Sequence, residues 1–220
     1  MLDLIVAGLL AVAPIKVVVI DTGLDLKDER FKQVLCLTGH DNFTNESMTD
    51  YAGHGTHVAG LIKQYAGLSN YCLIILKYYS TRDPENNTRR AQQAIRRAVE
   101  LGASVINFSA GGPGSNPEEC MLLTLHPEVT VVVAAGNDGA NLDRNCDYYP
   151  ACYNLPNVRV VGAIGIDRQR YASSNYGAVV KNVEPGERIV STLPHNQYGP
   201  MSGTSMAAAI HTGKLISGRR

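Results

Sequence analysis

Three residues of this 220-residue chain combine the side-chain types and surroundings that nucleophilic catalysis requires. Asp21 ends the stretch Val17-Val18-Val19-Ile20-Asp21-Thr22-Gly23. His54 sits in Gly53-His54-Gly55-Thr56-His57-Val58-Ala59-Gly60, and Ser205 in Ser202-Gly203-Thr204-Ser205-Met206-Ala207. A serine hydroxyl attacks poorly near neutral pH unless an imidazole takes its proton, and the imidazole needs a carboxylate to hold its tautomer and stabilise its charge. Glycines on both sides of His54 leave room for a substrate backbone. A metal pair at His54 and His57 is the weaker reading, because the glutamate of a His-Glu-x-x-His motif is missing. Asp-Thr-Gly at 21–23 also suits a pair of carboxylates sharing a proton, but that chemistry needs two such motifs and the chain has one. Each residue has a plain structural use as well: Asp21 as a turn aspartate, Ser205 as a helix N-cap, and Asn137 as a turn asparagine with positive φ.

These residues fall at the ends of regular elements. Apolar strands are expected at Ile15–Ile20, Cys72–Tyr79, Ser104–Ser109, Val129–Ala135 and Val158–Ile164,. Helical patterns separate them. Gly55–Tyr65 stops at Gly67, and a second helix opens on Thr88 as N-cap, shows an apolar face of Ala91, Ile95, Ala98 and Val99, and stops at Gly102,. Asn116-Pro117 reads as a cap with a first-turn proline. Residues 171–198 turn irregular and β-rich, and a last helix opens near Thr204 or Ser205, with Thr204 as the cap that would leave Ser205 free. Such alternation predicts an α/β fold, a mostly parallel sheet with helices on both faces. Sites in that architecture gather at the carboxyl ends of strands, where Asp21, Ser109 and Asn137 fall.

Composition narrows the class without naming it. Twenty basic and twenty acidic residues cancel, so bulk charge points to neither nucleic acid nor a membrane surface. Among the five cysteines, Cys146 and Cys152 are close enough to bridge. Cys36, Cys72 and Cys120 look scattered, and Cys72 and Cys120 border apolar segments where reduced thiols are usual. Residues 1–14 form an apolar segment ahead of the domain expected at 15–220. Leu4–Ala13 resembles a signal sequence but lacks a basic n-region, so a buried N-terminal helix is the competing reading. It is too short to span a bilayer.

The three motifs, in the order Asp, His, Ser, resemble the subtilisin-like serine proteases. So do Ser104-Val105-Ile106-Asn107-Phe108-Ser109-Ala110-Gly111-Gly112, Val131-Val132-Val133-Ala134-Ala135-Gly136-Asn137, Tyr149-Pro150-Ala151, Ser174-Asn175-Tyr176-Gly177 and Glu184-Pro185-Gly186. The resemblance spans Ile15 to Gly213. It implies a serine endopeptidase working through an acyl-enzyme, with Ser205 as nucleophile, His54 as base, Asp21 orienting the imidazole, and His57 structural. Asn137 would donate to the oxyanion together with the Ser205 N–H. Ser109, Ala110 and Gly111 would pair with an extended polypeptide substrate. Ala134, Ala135 and Gly136 would line the pocket for the residue before the scissile bond, roomy and apolar because their side chains are small. No cofactor is required, no nucleic acid is implied, and no metal is assigned, although Asp25, Asp41 and Asp50 leave a structural calcium open. The family favours a secreted or periplasmic protein, with the cytoplasm left open by the missing n-region.

One stretch departs from the family pattern. Where Pro-His-Val-Ala-Gly is usual after the nucleophile, the chain reads Ala209-Ile210-His211-Thr212-Gly213. The fold is also expected to be shortened at both ends, with a partner chain as one way to cover them. A second reading, of a different class, is therefore a degenerate member that binds extended peptides or a partner without cutting. A nucleotide-binding fold is excluded because no Gly-x-Gly-x-x-Gly follows the first strand.

Overall fold

A run such as Val17-Val18-Val19-Ile20 has no polar side, so it is stable only with both faces covered. The computed structural model describes residues 12–218 and places this run, in β1 (Ile15–Asp21), inside a seven-stranded parallel sheet. The expected N-terminal apolar segment falls, as far as residue 11, outside the described residues. The other strands are β2 (Asp41–Asn42), β3 (Tyr71–Lys77), β4 (Val105–Phe108), β5 (Thr130–Ala134), β6 (Val158–Ile164) and β7 (Asn182–Pro185), in the order β2-β3-β1-β4-β5-β6-β7. An antiparallel hairpin, β8 (Ile189–Leu193) and β9 (Gln197–Met201), stands apart from the sheet.

Alternation along each strand divides the core in two. Val17, Val19, Leu73, Ile75, Val132 and Ala134 face one layer, where α1 (His54–Ala66) and α4 (Thr204–Ile216) contribute Val58, Leu61, Ile62 and Met206 to Ile210. Val18, Ile20, Ile74, Leu76, Ile106, Val131, Val133 and Ala135 face the other, under α2 (Asn87–Glu100) and α3 (Pro117–Leu125). The Asn116 side chain caps α3, accepting from the N–H groups of Glu118 and Glu119.

Several expectations change. The second helix opens one residue before Thr88, after a 3-10 turn at Pro84–Asn86, and no side chain caps it. Cys72 is not a reduced thiol. It bonds Cys36, because a parallel bridge between Leu35 and Leu73 lays the two segments side by side, 36 residues apart in sequence. Cys146 and Cys152 bridge, and Cys120 is free. Among the described residues no helix is long and apolar enough to cross a membrane.

Candidate active site

Asp21 closes β1, where the chain leaves the sheet and the carboxylate is 3% exposed. The Thr22 N–H donates to its Oδ1 at 2.7 Å. His54 is the first residue of α1, and its Nδ1–H donates to the same oxygen at 2.7 Å. That bond fixes the tautomer, leaving Nε2 as the free nitrogen. Gly55 is obligatory behind it, because a methyl there would lie 2.4 Å from the Gly23 carbonyl oxygen. Burial opposes charge on His54, but the Asp21 carboxylate and its hydrogen bond outweigh it, with Asp50 adding to them. The imidazole is held above its usual value.

Asp50, one of the acidic residues that leave a structural calcium open, holds together the start of α1. It is 2% exposed. Its Oδ1 accepts from the Thr22 hydroxyl at 2.8 Å, Gly53 N–H at 2.8 Å and Ala52 N–H at 3.1 Å. Its Oδ2 accepts from the Thr56 N–H at 2.8 Å and the Thr56 hydroxyl at 2.7 Å. The carboxylate thus caps the helix that begins with His54 and ties it to the residue after Asp21. An acidic residue just ahead of Gly-His-Gly-Thr was the available signal. Asp25 and Asp41 each accept from a nearby backbone N–H. Among the described residues no group of three or more His, Cys, Asp or Glu side chains converges on a metal-sized site.

His57 faces away from His54. Its Nε2–H is shared between the Ile189 and Gly199 carbonyls at 2.9 and 3.1 Å, fastening the β8–β9 hairpin to α1. Burial pushes its basicity down, consistent with a neutral ring whose Nδ1 has no partner.

Ser205 is the second residue of α4 and 9% exposed. Its hydroxyl donates to the Ser109 carbonyl at 2.9 Å, while the Ser109 hydroxyl donates to the Ser205 carbonyl at 3.1 Å. A buried chain sets Ser109: Thr212 Oγ1 donates to Asn107 Oδ1 at 2.8 Å, and Asn107 Nδ2 donates to Ser109 Oγ at 2.9 Å. The structure therefore joins Asp21 to His54 directly and turns the Ser205 hydroxyl toward Ser109. Met201, just ahead of the Ser205 turn, comes within 3.8 Å of where a side chain at Gly53 would start. This brings the approach to α4 beside the start of α1.

Thr204 does not cap α4 as expected. Asn137 does so, its Oδ1 accepting from the Thr204 N–H at 2.9 Å and the Thr204 hydroxyl at 3.1 Å. A backbone N–H can only donate, so the carboxamide oxygen is the atom facing it, and Nδ2 points to the exposed side. The Ser205 N–H has no protein acceptor among the described residues. Buried Asn175 shapes the turn that carries Asn137, accepting from Asp138 and Ala140 N–H at 3.0 and 2.8 Å and donating to the Ala135 carbonyl at 2.9 Å.

The expected roomy pocket is not formed by alanine side chains. Ala134 packs into one core layer and Ala135 into the other, so neither methyl lines a cleft. Ala110 is half-buried and Gly111 exposed at the end of β4, beside Gly136 at the end of β5.

The subtilase family model matches residues 13–216. The major intracellular serine protease of Bacillus subtilis is 37% identical over 91% of this chain and 67% of its own length. The intracellular serine protease of Paenibacillus polymyxa is 36% identical over 91% of this chain and 65% of its own. The chain thus spans about two thirds of the length of these relatives. Among solved structures, a cold-adapted subtilisin-like serine proteinase superposes with TM-score 0.76 and 29% identity, over 91% of this chain and 73% of that one. A lanthipeptide protease, 24% identical, shares the fold at TM-score 0.78 over 92% of this chain and 72% of its own. With a family model matched over nearly the whole described chain, relatives above 30% identity and a shared fold, the chain belongs to the subtilase family of serine-type endopeptidases.

Proposed function

We propose that this chain hydrolyses peptide bonds of extended polypeptides through an acyl-enzyme on Ser205. The observation that carries the reading is the 2.7 Å bond from His54 Nδ1 to buried Asp21, which leaves Nε2 unprotonated and ready to accept. Ser205 Oγ leaves the Ser109 carbonyl, gives its proton to His54 Nε2 and bonds the substrate carbonyl carbon. His54 then protonates the departing amine. Water, activated by the same nitrogen, releases the acyl group and restores the serine. Negative charge on the carbonyl oxygen meets Asn137 Nδ2 and the Ser205 N–H, the two donors left free by the capping bonds at Thr204,. No step calls on a metal or cofactor. The two disulfides argue for an oxidising compartment,, in contrast to the intracellular naming of the two bacterial relatives.

The test is hydrolysis of an unfolded protein substrate by the parent, Ser205→Ala, His54→Ala and the double variant. Each single change is expected to lower kcat by at least about a thousandfold, with the double no worse, because the two side chains act as a unit. Additive losses, or a parent rate no higher than Ser205→Ala, would refute the reading. A second reading, peptide binding without cleavage, draws on the Ser205 hydroxyl being turned to Ser109. It predicts saturable peptide binding at the parent with no turnover.

A further inference from the structure

Thr212 lies in the stretch where the chain departs from the family pattern, and its hydroxyl is fully buried. It sits two helical turns beyond Ser205, on the same face of α4,. Across from that face, Val105 of β4 packs into the layer shared with α1 and α4, and strand alternation turns Asn107 and Ser109 to the same side,. The end of β4 and the first two turns of α4 are therefore joined at two levels, by Thr212 with Asn107 and by Ser205 with Ser109. Apolar side chains of similar shape could fill this interior without any need for direction. The polar groups impose one.

The direction can be followed proton by proton. Thr212 Oγ1 donates to Asn107 Oδ1 at 2.8 Å, so the carboxamide turns its nitrogen to Ser109 and donates to Oγ at 2.9 Å. Ser109 has one hydroxyl proton, and Asn107 already donates to its oxygen, so that proton goes to the Ser205 carbonyl at 3.1 Å,. With the carboxamide reversed, Asn107 Oδ1 would take the Ser109 proton and the Ser205 backbone would lose its tether. The Thr212 hydroxyl fills the Oδ1 side and excludes that reversal. The other link, from Ser205 Oγ to the Ser109 carbonyl, breaks when the serine attacks. Only the link from the Ser109 hydroxyl to the Ser205 backbone can persist through the reaction.

We propose that Thr212 is a positioning residue for the nucleophile, acting through Asn107 and Ser109 to hold the Ser205 backbone while its hydroxyl moves between Ser109 and His54. The inference rests on the protease reading above. A displacement of about 1 Å at a reacting atom can cost about a hundredfold in rate, so loss of the tether is expected in kcat rather than in KM.

The test is kcat and KM for one peptide substrate, together with the rate of fluorophosphonate labelling of the folded protein, in the parent, Thr212→Val and Thr212→Ser. Thr212→Val keeps the shape and removes the proton. It should lower kcat and the labelling rate by at least about tenfold while KM moves less than about twofold. Thr212→Ser keeps the hydroxyl and loses a methyl, and should stay within about threefold of the parent. A packing role alone would order the two variants the other way, because the serine leaves a cavity. Ser109→Ala removes the last link of the same chain, so adding Thr212→Val to it should cost nothing further. Should Thr212→Val not fold, Ser109→Ala carries the test alone with the same expected loss. An unchanged kcat in Thr212→Val or in Ser109→Ala, or a Thr212→Ser variant as slow as Thr212→Val, would overturn the proposal and leave the protease reading intact. A folded parent that neither cleaves the peptide nor takes the phosphonate at Ser205 would remove both.

Discussion

Burial of the His54 imidazole disfavours its charged form, yet Asp21 and its hydrogen bond hold the ring above an ordinary histidine. A base must be neutral to accept a proton, so the acid limb of kcat/KM is expected to turn above the unperturbed value of about 6.5. Asp21→Asn should move that turn downward as well as lower the rate; an unmoved inflection would separate His54 from the base role. The linked stability runs the opposite way. A raised folded-state value stabilises the protein below the unfolded value and is lost as pH climbs through the folded one. Asn137 permits a finer separation, because its oxygen caps α4 while its nitrogen faces outward. Asn137→Asp keeps the acceptor and removes the donor. Its kcat should fall by about 10²–10³ with the melting temperature little changed, and an unchanged kcat would dismiss the oxyanion role. Asp21, His54, Ser205 and Asn137 were legible as candidates because short motifs carry their types and order. The capping bond between Asn137 and Thr204 was not, since it joins residues far apart in the chain.

At the scale of elements, two helix N-termini carry His54 and Ser205, and in each a side chain from outside the helix supplies the cap. Asp50 serves α1 and Asn137 serves α4. Asp50 lies in the loop that leads into α1, whereas Asn137 reaches α4 from beyond the end of β5, and each ties a helix end to its neighbours,. Asp50→Ala strands five donors that now share one buried carboxylate. Stability is expected to fall by about 3 kcal/mol or more in denaturant titration, and a loss below about 1 kcal/mol would show that water replaces the carboxylate. The long strands and the Asn116-Pro117 helix start were readable from run length and turn chemistry, β6 to the residue. The two-residue β2 and the β8–β9 pairing were not. A two-residue strand has no period, and the hairpin register is set by bonds from His57 and by the Ser191 and Thr192 hydroxyls donating to α1 carbonyls.

Across the whole molecule, a parallel sheet gathers strand ends from distant parts of the chain, one disulfide staples a loop on to β3, and the other closes a short loop between β5 and β6. The Cys36–Cys72 bridge spans 36 residues, for which loop entropy alone gives about 4 kcal/mol,. Its pairing was missed because thiol proximity comes from tertiary contact between Leu35 and Leu73, which spacing does not reveal. Thiol titration of the denatured, unreduced protein should find one group, Cys120, and five after reduction; three or more before reduction would contradict the pairing. The parallel α/β class was legible because alternating apolar runs and helical patterns admit few architectures. The account depends most on one assembled centre at Asp21, His54 and Ser205. Its direct test is exposure of the folded protein to a fluorophosphonate, followed by mass spectrometry of the modified peptide. A single adduct on Ser205, absent in Ser205→Ala and strongly slowed in His54→Ala, is the predicted result. Natively folded protein that stays unmodified, or an adduct on another residue, would contradict it.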